Sequence, residues 1–490
     1  MGERVIMELK KNDIYEAEII DYTAEGSGVC KINNIAVFVP NTAVGDMCEV
    51  RIVKTGKKFA YGRLERIIRP SADRIEPDCV IFNKCGGCTF RHISYEAELR
   101  FKQKRVTDAL TRIGGVSGDI VMPIVGAECA DGYRNKAQLP VTKDSTGRIR
   151  VGFFAPRSHR VIPLDECALQ SPVFNKAAGI FVEWANSESN TVYDEISHSG
   201  AIRHLYLRHA KKTDELMVCI VANSDRLNGE EKLVNMLREG LENLKTVVLN
   251  INKEKTNVIT GKESRVLYGD GFITDELCGL RFRISPLSFY QVNRDQAERL
   301  YGIAAEQASL KKGERLLDMY CGTGTIGLSM ADRAGALTGV EIIPQAIEDA
   351  KKNAERNGIE NAEFICGDAA KAAAQLKARG ETADCIIVDP PRKGCDSALI
   401  GTIEEISPKR VVYVSCDPAT LARDIKLFEE KGYKAEKAIP VDMFPRTVHV
   451  ETVVLMSRSL TEHEKYGEYF MNRSVSDIMS EYSEQHDEWH

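Results

Sequence analysis

Leu316-Leu-Asp-Met-Tyr-Cys-Gly-Thr-Gly-Thr-Ile-Gly327 reads as a short apolar strand, a glycine turn and the start of a helix. A turn of this kind, at the carboxyl end of a strand, lets the main chain approach a ligand closely. Phosphate and dinucleotide sites share it, so the stretches that follow have to narrow the reading. Ala336-Leu-Thr-Gly-Val-Glu341 is a second strand ending in an acid, about 20 residues on, where a ribose diol is expected. Phe364-Ile-Cys-Gly-Asp368 is a third, its acid suited to an adenine amino group, and Cys385-Ile-Ile-Val-Asp389-Pro-Pro-Arg392 is a fourth. No Lys-Ser/Thr pair follows the glycines, which disfavours a nucleoside triphosphate. Strands and helices alternate from Asn293 to about Met456, which predicts a parallel α/β sheet. The first helix is expected over 294–310, with Asn293 and Gln296 as a capping box.

Outward from that stretch the texture changes. The chain has 490 residues, 43% hydrophobic and 28% charged. That mixture excludes disorder over most of the length and, at roughly 150 residues per domain, predicts about three domains. Residues 1–70 read as short strands with turns between them, a small Greek-key barrel of oligonucleotide-binding type. Residues 71–285 read as a mixed, mostly β central region with a linker helix over 95–113, stopped by Gly114-Gly115, and another helix near 229–244. Residues 286–458 form the alternating α/β region, and 459–490 an acidic tail. The net charge is −6, and the tail alone has that excess of acids, so the body is neutral. Within the body, 51–69 has seven basic residues against the single acid Glu65, with Phe59 and Tyr61 available to stack. That combination predicts a nucleic-acid contact, specifically RNA. No apolar run approaches the ~18 residues of a membrane span, and Met1-Gly-Glu-Arg is no signal peptide. A cytoplasmic protein without a membrane partner is expected.

Fourteen cysteines in such a chain argue for metal or thiol chemistry over disulfides. Cys79-x5-Cys85-Gly-Gly-Cys88 is a compact run of three, with Cys167 as a candidate fourth; zinc and an iron–sulfur cluster both remain open on spacing. Of the others, Arg410-Val-Val-Tyr-Val-Ser-Cys416-Asp-Pro puts a cysteine at the end of a fifth strand, beside the ligand crevice. Core packing is the expected role of the remaining nine. Thr447-Val-His-Val-Glu451 places a carboxylate at the head of a final apolar strand.

The series of strand ends resembles the Rossmann-like methyltransferases that bind S-adenosylmethionine. The resemblance implies that the turn over 320–325, from Tyr320 to Thr325, holds the methionine portion and that Glu341 takes the ribose hydroxyls. Four further stretches look like the RNA uracil-5-methyltransferase family: Asp389-Pro-Pro-Arg-Lys-Gly, Val414-Ser-Cys-Asp-Pro-Ala-Thr-Leu-Ala-Arg-Asp, His449-Val-Glu-Thr-Val and Phe289-Tyr-Gln-Val-Asn. Asp-Pro-Pro followed by an aromatic is typical of methylation at exocyclic nitrogen; Arg392 stands there instead. By this resemblance Cys416 is the nucleophile toward C6 of uracil, Glu451 the general base toward the C5 proton, and Gln291 and Asp389 line the cofactor or target-base pocket. The target uridine is expected in a single-stranded loop or flipped out of its stack.

The family's ribosomal-RNA branch has a [4Fe-4S] cluster on the pattern of Cys79, Cys85, Cys88 and Cys167, preceded by a TRAM barrel. The spacing differs from that of radical S-adenosylmethionine enzymes, and structural zinc is the alternative. The resemblance therefore implies 5-methyluridine formation in 23S ribosomal RNA by a monomer, with transfer RNA as the alternative substrate and a non-catalytic RNA-binding scaffold as the alternative class.

Overall fold

The computed structural model describes residues 9–458, so the acidic tail lies outside the described residues. The first sheet has six strands, in the order Ile14–Glu18, Met47–Thr55, Phe59–Arg69, Ile35–Val39, Gly28–Ile32 and Asp21–Tyr22, curled into a half-barrel. Alternate residues point inward, and Cys30, Val37, Val39, Cys48, Val50, Ile52 and Ala60 make a small core. Gly62 is required there: a Cβ would lie 2.4 Å from Val50.

The linker helix is Tyr95–Arg112, capped by Ser94, whose side chain accepts from the Ala97 N–H. It leads to a seven-stranded mixed sheet, in the order Glu263–Tyr268, Leu244–Ile251, Glu215–Ala222, Ile202–Ala210, Lys136–Lys143, Ile149–Phe154 and Val161–Pro163. Helices Pro172–Ser187 and Glu230–Gly240 cover one face through Phe174, Phe181, Trp184, Leu233 and Leu237. The second lies at the place expected from the sequence. The first went unread, although Ser171-Pro172 and the apolar spacing from Phe174 to Trp184 mark it.

The last sheet also has seven strands, in the order Ala362–Cys366, Ala336–Glu341, Arg315–Met319, Cys385–Val388, Arg410–Ser415, Glu451–Arg458 and Tyr433–Val441. The first five are parallel, and Glu451–Arg458 pairs antiparallel on both sides. Strand order reverses between Arg315–Met319 and Cys385–Val388, and a ligand crevice opens at the carboxyl side of such a switch point.

The capping box is half formed. Asn293 accepts from the Gln296 N–H at 3.3 Å, but the Gln296 side chain turns away and donates to the Asp442 carbonyl at 3.0 Å. Its helix, Arg294–Ala308, ends two residues earlier than expected, at Ser309 in the left-handed region. Two of the cysteines assigned to core packing, Cys129 and Cys366, are exposed. No helix among the described residues is long and apolar enough to cross a membrane.

Candidate active site

The glycine turn is built from left-handed backbone at Tyr320, Gly322 and Gly324, with φ of 70°, 55° and 81°. Two hydrogen bonds close it: Cys321 N–H to the Val340 carbonyl at 2.9 Å and Gly324 N–H to the Cys321 carbonyl at 2.8 Å. A Cβ on Gly322 would meet nothing within 4 Å, so the turn faces open space. Glu341, at the end of the neighbouring strand, accepts from Gly322 N–H at 3.2 Å and Ile343 N–H at 3.0 Å, which fixes its carboxylate beside the turn. Asp368 caps helix Ala369–Ala378 by accepting from Lys371 N–H at 3.1 Å. Thr325 is met by Tyr301, whose hydroxyl lies 3.2 Å from Thr325 Oγ1. Nothing local in the sequence marks Tyr301, which comes from the helix upstream of the turn.

Acids crowd this crevice. Asp318 is buried beneath the turn; Oδ2 accepts from Gly327 N–H at 2.9 Å, while Oδ1 has no hydrogen-bond partner. Burial, with Asp389 and Glu341 nearby, pushes it up to about 7. Burial likewise pushes Asp389 up to about 7. A cluster of carboxyls without a paired cation suits the cationic sulfonium and amino groups of S-adenosylmethionine, and the open glycine turn suits its close approach.

Cys416 and Glu451 flank the last pair of two antiparallel strands, Ser415 with Thr452, and the Glu451 charge acts on the Cys416 thiol. Glu451 is buried, and burial together with the Asp389 charge pushes it up to about 8, against the pull of Arg392. Burial, then Glu451 and Asp389, push the Cys416 thiol up to about 11, again against Arg392. The Asp389 charge thus acts on Asp318 beneath the turn and on both Cys416 and Glu451. Arg392 also lies 3.5 Å from His449 Nδ1, and burial followed by this cation lowers His449 to about 4, leaving it neutral. His449 stood in a quoted stretch without a role.

Cys79, Cys85, Cys88 and Cys167 line one cavity of about 70 Å³ with Arg91 and Arg134 at its wall. Burial raises Cys88 to about 11, opposed by Arg91. Burial raises Cys85 as well, and the Cys167 and Cys79 thiols add to it. Among the described residues, however, no three His, Cys, Asp or Glu are grouped so as to hold a metal ion. The tight tetrahedron that zinc demands is therefore not formed by these side chains.

Comparison with known proteins agrees with this layout. Residues 227–459 match the tRNA (Uracil-5-)-methyltransferase family, and residues 8–64 match the TRAM domain. An uncharacterized RNA methyltransferase of Clostridium tetani is 45% identical over 449 residues, covering 92% of this chain and 97% of that protein. One of Halalkalibacterium halodurans is 44% identical over 448 residues, covering 91% and 98%. Among solved structures, the Pyrococcus abyssi tRNA (uracil-54, C5)-methyltransferase in complex with S-adenosyl-L-homocysteine superposes with a TM-score of 0.74. It has 29% sequence identity and covers 90% of this chain and 99% of that one. The glycine turn, the strand-end acids and the thiol–carboxyl pair thus sit in a chain that belongs to the TRAM-containing RNA (uracil-5-)-methyltransferase family, whose members methylate uracil C5 with S-adenosylmethionine.

Proposed function

We propose that this protein methylates C5 of a uridine in structured RNA, with Cys416 as nucleophile and Glu451 as base. The observation that supports the proposal is the pair Ser415 to Thr452, which Cys416 and Glu451 flank, together with the effect of the Glu451 charge on the Cys416 thiol. C5 of uracil is a poor nucleophile. Addition of the Cys416 thiolate to C6 moves the electron pair of the C5–C6 bond onto C5 and O4, giving an enolate. Bound S-adenosylmethionine supplies the electrophilic methyl group that C5 takes. Glu451 then removes the C5 proton, and the electron pair re-forms the C5–C6 bond as the C6–S bond breaks and releases Cys416. A carboxyl raised to about 8 is matched to a proton transfer near neutral pH. Gln291, Tyr320, Thr325, Glu341, Asp368 and Asp389 are the residues we assign to the cofactor, with Tyr301 bracing Thr325.

Transfer RNA is the better supported substrate. The Pyrococcus abyssi relative is a transfer-RNA enzyme, and it covers 90% of this chain. The four cysteines around one cavity favour 23S ribosomal RNA as the second reading, through the resemblance that also implies a [4Fe-4S] cluster there. An all-thiol donor set flanked by two guanidiniums suits an anionic cluster, larger than a single ion. Anaerobically purified protein with visible charge-transfer absorption would support the cluster, and a colourless zinc protein would overturn it.

The substrate test offers unmodified transfer RNA and 23S transcripts to the protein with labelled S-adenosylmethionine. Label in 5-methyluridine of transfer RNA is expected, and label confined to the 23S transcript would reverse the assignment. RNA containing 5-fluorouridine should trap a covalent adduct with the wild-type chain and none with Cys416→Ala. An adduct in that variant would remove Cys416 from its role.

A further inference from the structure

Glu451 follows a segment, 442–450, that has no regular secondary structure. Glu451 opens the strand Glu451–Arg458, where it pairs with Val441, and the chain entering that strand along 442–450 takes its path from groups outside the sheet. The linker helix Tyr95–Arg112 supplies three polar side chains at successive turns, Glu98, Lys102 and Arg105, and all three reach this segment. Lys102 Nζ donates to Asp442 Oδ1 at 2.6 Å and to the Phe444 carbonyl at 3.2 Å. Glu98 Oε1 accepts from Lys102 at 2.6 Å and from the Arg446 N–H at 2.8 Å. Arg105 Nη1 donates to the Val448 carbonyl at 2.7 Å, and the same guanidinium lies 3.9 Å from Asp417, the neighbour of Cys416. Tyr95, one turn earlier, donates to Asp442 Oδ2 at 2.7 Å.

The side chains of Glu98, Lys102 and Asp442 are wholly buried. Such a triad is an expensive way to hold two elements together, because apolar packing would do it with no desolvation cost. What ions add is a fixed geometry. Arg446 shows the same demand: a non-glycine residue at φ 67°, a conformation that persists where its surroundings over-determine it. Its N–H is bound by Glu98, and its carbonyl accepts from Thr89 N–H at 2.7 Å.

We propose that Glu98, Lys102 and Arg105 are positioning residues, a clamp on one face of the linker helix that sets Glu451 for removal of the C5 proton. The proposal rests on Glu451 being the base. Addition to C6 and methylation precede proton removal, so a misplaced base leaves the methylated RNA joined to Cys416. The clamp therefore predicts an accumulating adduct, which a general loss of folding would not produce.

The experiment mixes each variant with unmodified substrate RNA and S-adenosylmethionine and measures kcat, KM and the fraction of enzyme carrying RNA after denaturation. Glu451→Gln is the reference and should accumulate adduct. Lys102→Met and Arg105→Gln should lower kcat about 10-fold or more, short of the 10²–10⁴ of a lost base, with KM within about twofold and adduct above wild type. Glu98→Leu should behave alike. Glu98→Gln keeps an oxygen at the Oε1 position and puts its amide where Oε2 has no partner, so kcat within about threefold of wild type is expected. Lys102→Met leaves two buried acids unpaired; if it does not fold, Arg105→Gln, which strands none, decides the matter. Unchanged kcat in Arg105→Gln, or a fall without adduct, overturns the clamp. Failure of Glu451→Gln itself to accumulate adduct overturns the base assignment and the clamp with it.

Discussion

On the hairpin of the first sheet Glu65 sits between Arg51 and Arg63, and these two hydrogen bonds hold it down at about 2; at the end of a strand of the last sheet Asp389 is half-buried, and its withdrawal from water pushes it up to about 7. Glu49 pairs with Arg66 across the same hairpin. The contrast separates two uses of charge. Exposed pairs on the hairpin contribute little to stability and leave the surface free to exchange partners with a polyanion. Carboxyls withdrawn from water without an ion pair weaken the fold, and Asp318, Asp389 and Glu451, gathered around one crevice, are the candidates for a chemical role.

The sharpest consequence is in the pH dependence of turnover. Glu451 acts as a base only when ionised, and it is held at about 8. Well below that value kcat should fall roughly tenfold per pH unit, about 50-fold between pH 8 and pH 6, in steady-state assays with saturating RNA. A break near 8 assigns the limb to the carboxyl. A rise running on toward 11 would assign it to the Cys416 thiol and erase the distinction between an acid placed for chemistry and a bystander.

Stability should carry the same signature with the opposite sign. Asp389 moves from 3.8 for an exposed Asp to about 7 in the folded chain. Between those values the native state holds a proton that the unfolded state has lost, so stability falls as pH rises through this window. Asp389→Asn removes that slope. Its gain over wild type should be absent at pH 4 and reach on the order of 4 kcal/mol at most by pH 8, read from denaturant unfolding. S-adenosylmethionine, a cation, should narrow the gap. Parallel pH profiles for the two proteins would show that Asp389 is not the unpaired acid described above.

The two regions were also unequally legible in the sequence. Parallel strands display their ends at one edge, so Glu341, Asp389 and Cys416 could be read as strand ends from local pattern, and the sheet topology bears out the parallel strands that lead to them. Tyr301 and the clamp could not be read so. Lys102 meets Asp442 across 340 positions, and no periodicity encodes a pairing over that separation. The missing half of the capping box has the same reason: the Gln296 side chain is drawn to the carbonyl of Asp442. On the hairpin, counting charge over 51–69 omitted Glu49, which lies on the partner strand and neutralises Arg66.

That omission yields the smallest effect and the cleanest test of the contrast. Arg51, Arg63 and Arg66 have acids beside them, whereas Lys54, Lys57 and Lys58 at the turn make no ion pair among the described residues. Phe59 and Tyr61 stand next to them, 40% and 44% exposed, their rings 5.6 Å apart and edge to face. If RNA is held by unpaired cations beside stacking rings, then Lys57→Glu with Lys58→Glu should weaken RNA binding about 10-fold. It should also flatten the dependence of log Kd on log salt by about 1 to 2, with kcat unchanged. Arg63→Gln, though 66% exposed at its side chain, removes a cation already satisfied by Glu65 and also frees that acid from one partner. Its expected loss in binding is about twofold, within the range of an exposed pair. Equal losses in the two variants would mean that pairing on the hairpin does not withhold a cation from RNA. The exposed charges would then act as a sum, and position would matter only in the crevice.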